Sequence, residues 1–318
     1  LEARVPSHRL DIELEADLIE EVARLYGYDR IAATLPQGIA VGGKNYRLQI
    51  AAKIRELLVG VGLNEIMTYS FDSPASFQKL GLSKDHDLRQ AVTIHNPLTE
   101  DWSILRTSLV PNLMNVLQHN AQRQHPDLQI FEIGSVYIPR RLPLEERPEE
   151  RLTLGIALMG NFPREWGYHL RSVDFFDLKG IVEAIFRRLD LSCQWEKLEC
   201  DFLHPGRCAG IKLGDVQVGA MGEIHPEVGS KWELPSRAYV AELSLDSIIP
   251  HVRCQRRVDK LPRYPAITRD LALVAPDTVP GQRILEVMRV AGGDIVKEIA
   301  LFDVYQGRQI PAGHRSLA

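Results

Sequence analysis

Asp11, Asp17, Glu20 and Glu21 are the residues of this chain whose types and spacing most directly imply chemistry. Glu20 and Glu21 follow Asp17 by three and four positions, so on a helix the three share one turn and one face. Hard oxygen ligands gathered at a helix start suit a divalent cation such as magnesium. The spacing has a second, purely structural reading. Asp17-Leu18-Ile19-Glu20 fits a capping box, and acidic side chains favour the positive end of a helix dipole. The two readings are compatible, because a capping carboxylate keeps free lone pairs. To place these groups, the stretch VPSHRLDIELEADLIEEVARLYGYDRI (5–31) should open extended and turn helical at Asp17.

The remaining composition excludes several classes. With 318 residues the chain can hold two or three domains, and 45% hydrophobic with 25% charged residues is an ordinary globular balance. No apolar run approaches the ~20 residues of a membrane helix. Cys193, Cys200, Cys208 and Cys254 form no CxxC pair, which leaves no zinc signature and fits a reducing cytoplasm. The ten histidines make no HExxH or HxH, and His125, His204 and His225 precede proline, where helix is disfavoured. The net charge of −4 is uneven: residues 1–37 carry four basic and eight acidic side chains, residues 253–318 eleven basic and seven acidic. A basic C-terminal module points modestly to a polyanion, and a solvated mixed surface gives the same count.

Periodicity then orders the chain. A helix is expected from Tyr46 to about Gly62 with Leu48, Ala51, Ile54, Leu57, Leu58 and Val61 inward, followed by strands over Asn64–Phe71 and Arg89–His95. After the Asn96-Pro97 turn, Ser108 can cap a second helix with Pro111 in its first turn. Leu128–Ile138 reads as a strong strand, paired hairpin-like across a charged loop with Leu152–Met159. A third helix spans Asp174–Leu189, and Gly206–Gly222 and Ala238–Leu245 supply further strands. A basic, proline-rich linker precedes a β-α-β-β unit: strand 267–275, helix 281–291, strand 295–305 and a strand beginning near His314. The class is α+β with a mostly antiparallel sheet, and no GxGxxG or GxxxxGK[ST] loop suggests a doubly wound nucleotide fold.

Several ordered segments carry a family resemblance: SHRLDIELEADLIEEVARLYGYDRI, LNEIMTYSF, NPLTEDWSILRTSLVPNLM, IFEIGSVY, GAMGEIHPEV and PRYPAITRDLALV. Together the chain resembles the beta subunit of bacterial phenylalanine–tRNA ligase, over its C-terminal part. The resemblance implies the C-terminal part of a small magnesium-associated helical or winged domain at 1–38, and a class II aminoacyl-tRNA synthetase-like core at 44–252. A linker would occupy 253–261 and an incomplete ferredoxin-like anticodon-binding domain 262–318. The chain begins inside the first motif, so it is expected to be an internal fragment, with the family's editing domain upstream. With its last strand missing, the ferredoxin-like module is expected to be mobile on its own.

What the resemblance implies about sites follows residue by residue. Asp11, Asp17, Glu20 and Glu21 match the family's magnesium ligands. Arg263, Arg269 and Arg308 are candidate phosphate contacts to tRNA, with Tyr264 and Tyr305 available for stacking or for core packing. Class II catalysis needs an RxE arginine on the strand matching Leu128–Tyr137, yet Ile130 stands two residues before Glu132, and isoleucine cannot clamp a phosphate. The Gly-rich GxGxGxxR motif is missing as well. The expected role is therefore a non-catalytic, cytoplasmic subunit that pairs through its long helix and adjacent strand with the alpha subunit. The assembly would be a heterotetramer of two alpha and two beta chains, with ATP used on alpha, and it would bind tRNA(Phe). Trp102 and Arg106 are open between core and partner contacts. A free-standing nucleic-acid-binding protein built from the same modules is the alternative.

Overall fold

Apolar residues that alternate along β-strands face two different helix layers, and this alternation builds most of the molecule. The computed structural model describes residues 3–35, 38, 42–162, 171–253, 264–307 and 309–318. The chain divides into two units, Leu1–Asn45 and Tyr46–Ala318.

The first unit holds one α-helix, α1 (Glu15–Tyr26), which buries none of its residues. It starts two positions earlier than the helical period predicts. Asp17 therefore sits in the first turn instead of at the cap, and its Oδ2 accepts the Glu13 and Leu14 N–H groups, each at 2.8 Å. A carboxylate can satisfy these orphan donors from inside the turn as well as from the cap position.

In the second unit the chain runs α2 (Tyr46–Gly60), β1 (Asn64–Glu65), β2 (Phe71–Asp72), α3 (Pro74–Lys79), β3 (Ile104–Leu105), α4 (Val110–Ala121), β4 (Leu128–Ile138) and β5 (Glu149–Met159). It continues with α5 (Phe175–Arg188), β6 (Gln194–Glu196), β7 (Leu203–Leu213), β8 (Val216–Ile224), α6 (Pro226–Lys231), β9 (Ala238–Ser244) and α7 (Leu245–Ile248). The last elements are β10 (Leu273–Pro276), α8 (Gly281–Gly292), β11 (Val304–Tyr305) and β12 (His314–Leu317). Seven strands form one sheet in the order β1-β4-β5-β9-β8-β7-β6, antiparallel throughout except where β1 lies parallel to β4. The expected β4–β5 hairpin pairs over its full length, Leu128 with Met159 through Ile138 with Glu149.

One face of this sheet packs Phe131, Leu154, Ile156, Ala241 and Leu243 against α2, α5 and α7. The other packs Ile130, Val136, Ala157, Ala238 and Val240 against α3, α4 and α6. The α2 stripe is narrower than the sequence suggests: Ile50, Ala51, Ile54 and Leu58 are buried, whereas Leu48 and Val61 are exposed. Helix α5 begins at a reciprocal cap. The Asp174 Oδ1 accepts from Phe176 and Asp177 N–H at 2.7 and 3.0 Å, and Asp177 accepts the Asp174 N–H at 2.8 Å.

Four expected strands are shorter or absent. Only Asn64 and Glu65 pair with β4, and Phe71–Asp72 pairs separately with β3. Residues 87–89 form a 3-10 turn, with His86 Nδ1 accepting the Leu88 N–H at 3.1 Å, so only Thr93 of 89–95 makes a bridge, to Ile104. The C-terminal β10-β12-β11 sheet is antiparallel. β12 is four residues long, so it offers partners to only short parts of 267–275 and 295–305.

Candidate functional site

Glu132 on β4, Gly155 on β5 and Glu242 on β9 are successive register partners, so two carboxylates flank a glycine on the α4 face of the sheet. Glu132 is buried against Arg106, another buried side chain, with Nη1 donating to Oε1 at 2.8 Å. The same guanidinium donates to Thr68 Oγ1 at 2.9 Å and, through Nε, to the Ser135 carbonyl at 2.9 Å. Thr68 Oγ1 in turn donates to Glu132 Oε2 at 2.7 Å. Every partner is fixed, as a buried ion pair requires if it is not to be strongly destabilising. Gly134 makes the arrangement possible, because a Cβ there would run into Arg106 Nη2. Ile130, two residues before Glu132, is buried as part of the core.

Helix α4 lies directly on this row. A Cβ on Gly155 would stand 2.8 Å from Leu113 Cδ1 and 3.0 Å from Leu109 Cβ. Leu109 N–H donates to Glu242 Oε1 at 2.6 Å, and Ser108 Oγ donates to both Glu242 oxygens at 3.0–3.1 Å. Ser108 Oγ also accepts the Val110 N–H at 3.1 Å, so it serves the helix start from one position before the cap residue, Leu109. Burial pushes the Glu242 carboxyl above its ordinary range, against the opposing pull of Leu109, Ser108 and Arg106. Asp72, bonded to Ser76 Oγ at 2.6 Å and Ser73 N–H at 2.7 Å, is likewise raised by burial.

The sequence leaves Arg106 open between core and partner contacts and does not single out Glu242. Arg106 is only 3% exposed, which resolves its open reading in favour of the interior. Trp102 is surface-borne, with its ring 5.0 Å from that of Tyr69. A signal for Glu242 did exist: AYVAELSL alternates toward two apolar layers, and a charge at an inward position needs a reason.

Two of the four N-terminal carboxylates, Asp11 and Glu21, are bridged by a cation of the chain itself. Arg9 donates to Asp11 at 2.7 Å and to Glu21 at 2.5 Å, and Arg24 holds the other Glu21 oxygen at 2.5 Å. These contacts depress both acids, Asp11 to about 2, chiefly through the Arg9 hydrogen bond. Asp17 is lowered by its two backbone N–H donors, and Glu20 is exposed. The donor chemistry suits a hard divalent ion, but the arrangement does not. Among the described residues no group of three or more potential ligands is placed to hold one.

In the C-terminal module Arg269 is exposed, and Arg263 and Arg308 lie outside the described residues, as does the expected linker beyond Arg253. Tyr264 and Tyr305 are both exposed, so neither packs in a core. The module meets the large sheet where Gln282 Oε1 accepts the Trp195 N–H at 3.1 Å. Among the described residues no helix is long and apolar enough to cross a membrane.

Comparison with known proteins gives three family matches. Residues 31–245 match the phenylalanyl tRNA synthetase beta chain CLM domain, residues 262–318 the ferredoxin-fold anticodon binding domain, and residues 1–28 the tRNA synthetase B5 domain. Curated relatives named phenylalanine–tRNA ligase beta subunit include that of Moorella thermoacetica, 44% identical over 99% of this chain and 39% of its own length. That of Symbiobacterium thermophilum is 41% identical over 99% of this chain and 35% of its own length, and that of Clostridium tetani 38% identical over 100% and 39%. The chain thus spans about two fifths of the length of these relatives.

Proposed function

The chain belongs to the phenylalanyl-tRNA synthetase beta chain family, and we propose that it works as the non-catalytic, tRNA-binding partner of an alpha subunit that attaches phenylalanine to tRNA(Phe) with ATP. The observation that carries the silent role is the buried Arg106–Glu132 pair beside Ile130. The seven-stranded sheet with one parallel edge strand is read as a class II core. On that reading β4 is the strand whose arginine would grip ATP, its Glu132 is committed internally, and Leu109 and Leu113 cover Gly155 on the same face. A phosphate needs preorganised cationic donors, and this face offers an apolar helix instead.

The domain division at 1–38, 44–252 and 262–318 belongs to the same reading, as do the cytoplasm and a heterotetramer of two alpha and two beta chains. Pairing would use the side of α2 that leaves Leu48 and Val59 exposed, together with Val61, Met67 and Tyr69 beyond it. An exposed apolar row of this kind is expected to be covered by a partner. Mixing the chain with the alpha subunit and measuring mass by analytical ultracentrifugation tests this. A complex of two alpha and two beta chains is expected, and Val59→Asp should weaken it. Separate sedimentation of both chains would contradict the reading.

For tRNA, Arg263, Arg269 and Arg308 are proposed as phosphate contacts on the anticodon-binding module. Arg269→Ala should lower affinity uniformly and reduce its salt dependence in filter binding. Magnesium at Asp11, Asp17, Glu20 and Glu21 is proposed under one condition: the ion must displace Arg9 from Asp11 and Glu21. No step of the reaction is routed through it.

A further inference from the structure

Of the two carboxylates that flank Gly155, only one is bonded to a cation, and Arg106 acts on Glu242 through space alone. Arg106 is committed to Glu132, and among the described residues no arginine or lysine pairs with Glu242. Glu242 borders a cavity of about 420 Å³ on the α4 face, within the size range of small-molecule sites. Val110, Val136 and Val240 give it an apolar wall, and Thr107 and Thr153 add hydroxyls. Both hydroxyls already spend their protons, Thr107 on the Leu88 carbonyl at 2.6 Å and Thr153 on the Arg151 carbonyl at 3.3 Å. What they turn toward a ligand is therefore acceptor oxygen. Glu242 also keeps acceptor capacity, since Leu109 and Ser108 supply the only donors to it among the described residues.

Arg151 also lines the cavity, but its guanidinium is held by Glu149 at 2.8 Å, so Glu242 is the one charged group of the lining with no counter-ion bonded to it among the described residues, and it favours a donor-rich cation. A metal ion fits poorly, because no group of three or more metal-binding side chains gathers there among the described residues. We propose that this cavity binds a small organic cation, its ammonium group on Glu242 and its apolar body against Val110, Val136 and Val240. Burial raises the Glu242 carboxyl, and Leu109, Ser108 and Arg106 pull against it. The site requires no ATP and no alpha subunit, so it stands or falls apart from the silent-partner reading.

The test is isothermal titration of the full chain with 2-phenylethylamine and, as an uncharged match of the same shape, 2-phenylethanol. Saturable one-to-one binding of the amine is expected, with the alcohol about tenfold weaker or worse. Glu242→Gln should bring the amine down to the alcohol's affinity. Ala220→Leu, which narrows the cavity at the register partner of Glu242 on β8, should weaken both ligands. No saturable amine binding, equal affinity for the alcohol, or full amine affinity in Glu242→Gln would overturn the proposal. If Glu242→Gln fails to fold by circular dichroism, Ala220→Leu decides: unchanged amine affinity there overturns it.

Discussion

Arg106 is a buried charge bonded to several separate segments. Its guanidinium ties β4, the Thr68 segment and the Glu132 carboxylate into one buried network. Arg106→Met would leave Glu132 buried without its cation, at a cost of about 3–5 kcal/mol. Urea denaturation should show this loss, with a clearly smaller one in the double variant Arg106→Met/Glu132→Leu, which removes both charges. Equal losses in the two would mean that the pair is not what matters. At the opposite extreme, the contacts of Arg9 with Asp11 and Glu21 are solvent-screened, and their importance lies in what they exclude. Arg9→Ala frees Asp11 and leaves Glu21 with Arg24 alone, so manganese titrated as a spin probe should bind the variant more tightly than the parent chain. Unchanged affinity would remove Arg9 from the proposed competition. These residues also mark how far a sequence can be read. The spacing of Asp11, Asp17, Glu20 and Glu21 was plain, yet their actual partners depend on how Arg9 folds back, and nothing in the spacing encodes that.

At the scale of elements, legibility followed the length and symmetry of burial. β4 and α5 match their sequence readings closely, because each has a long, regular apolar pattern and a definite start or stop. Asp174 is such a start, and Asp174→Ala should cost about 1 kcal/mol through loss of two N–H partners. Thermal unfolding checks this, and an unchanged midpoint would deny the cap its role. The failures have an equally physical cause. β1, β10 and β11 are limited by what their neighbours offer in length, information that is non-local. Leu48 and Val61 have the right residue type for a buried stripe, yet α2 buries only Ile50, Ala51, Ile54 and Leu58, and Val61 falls beyond its end. The row Glu132–Gly155–Glu242 was the least legible feature of all. It exists only once three strands distant in sequence come into register.

For the whole molecule, α4 covers Gly155 on one sheet face, and Arg106 neutralises Glu132 there from within. A surface rich in exposed apolar side chains on unit two, from Val59 to Tyr69, is what remains for assembly. On the proposed function, this chain enables aminoacylation without performing its chemistry. Phenylalanine-dependent ATP–pyrophosphate exchange tests it most directly, measured with this chain alone, with the alpha subunit alone, and with the two mixed. Exchange is expected only when alpha is present, and strongest in the mixture. Exchange by this chain alone would contradict the claim, since it would require an ATP site on a face where Arg106 is already committed to Glu132.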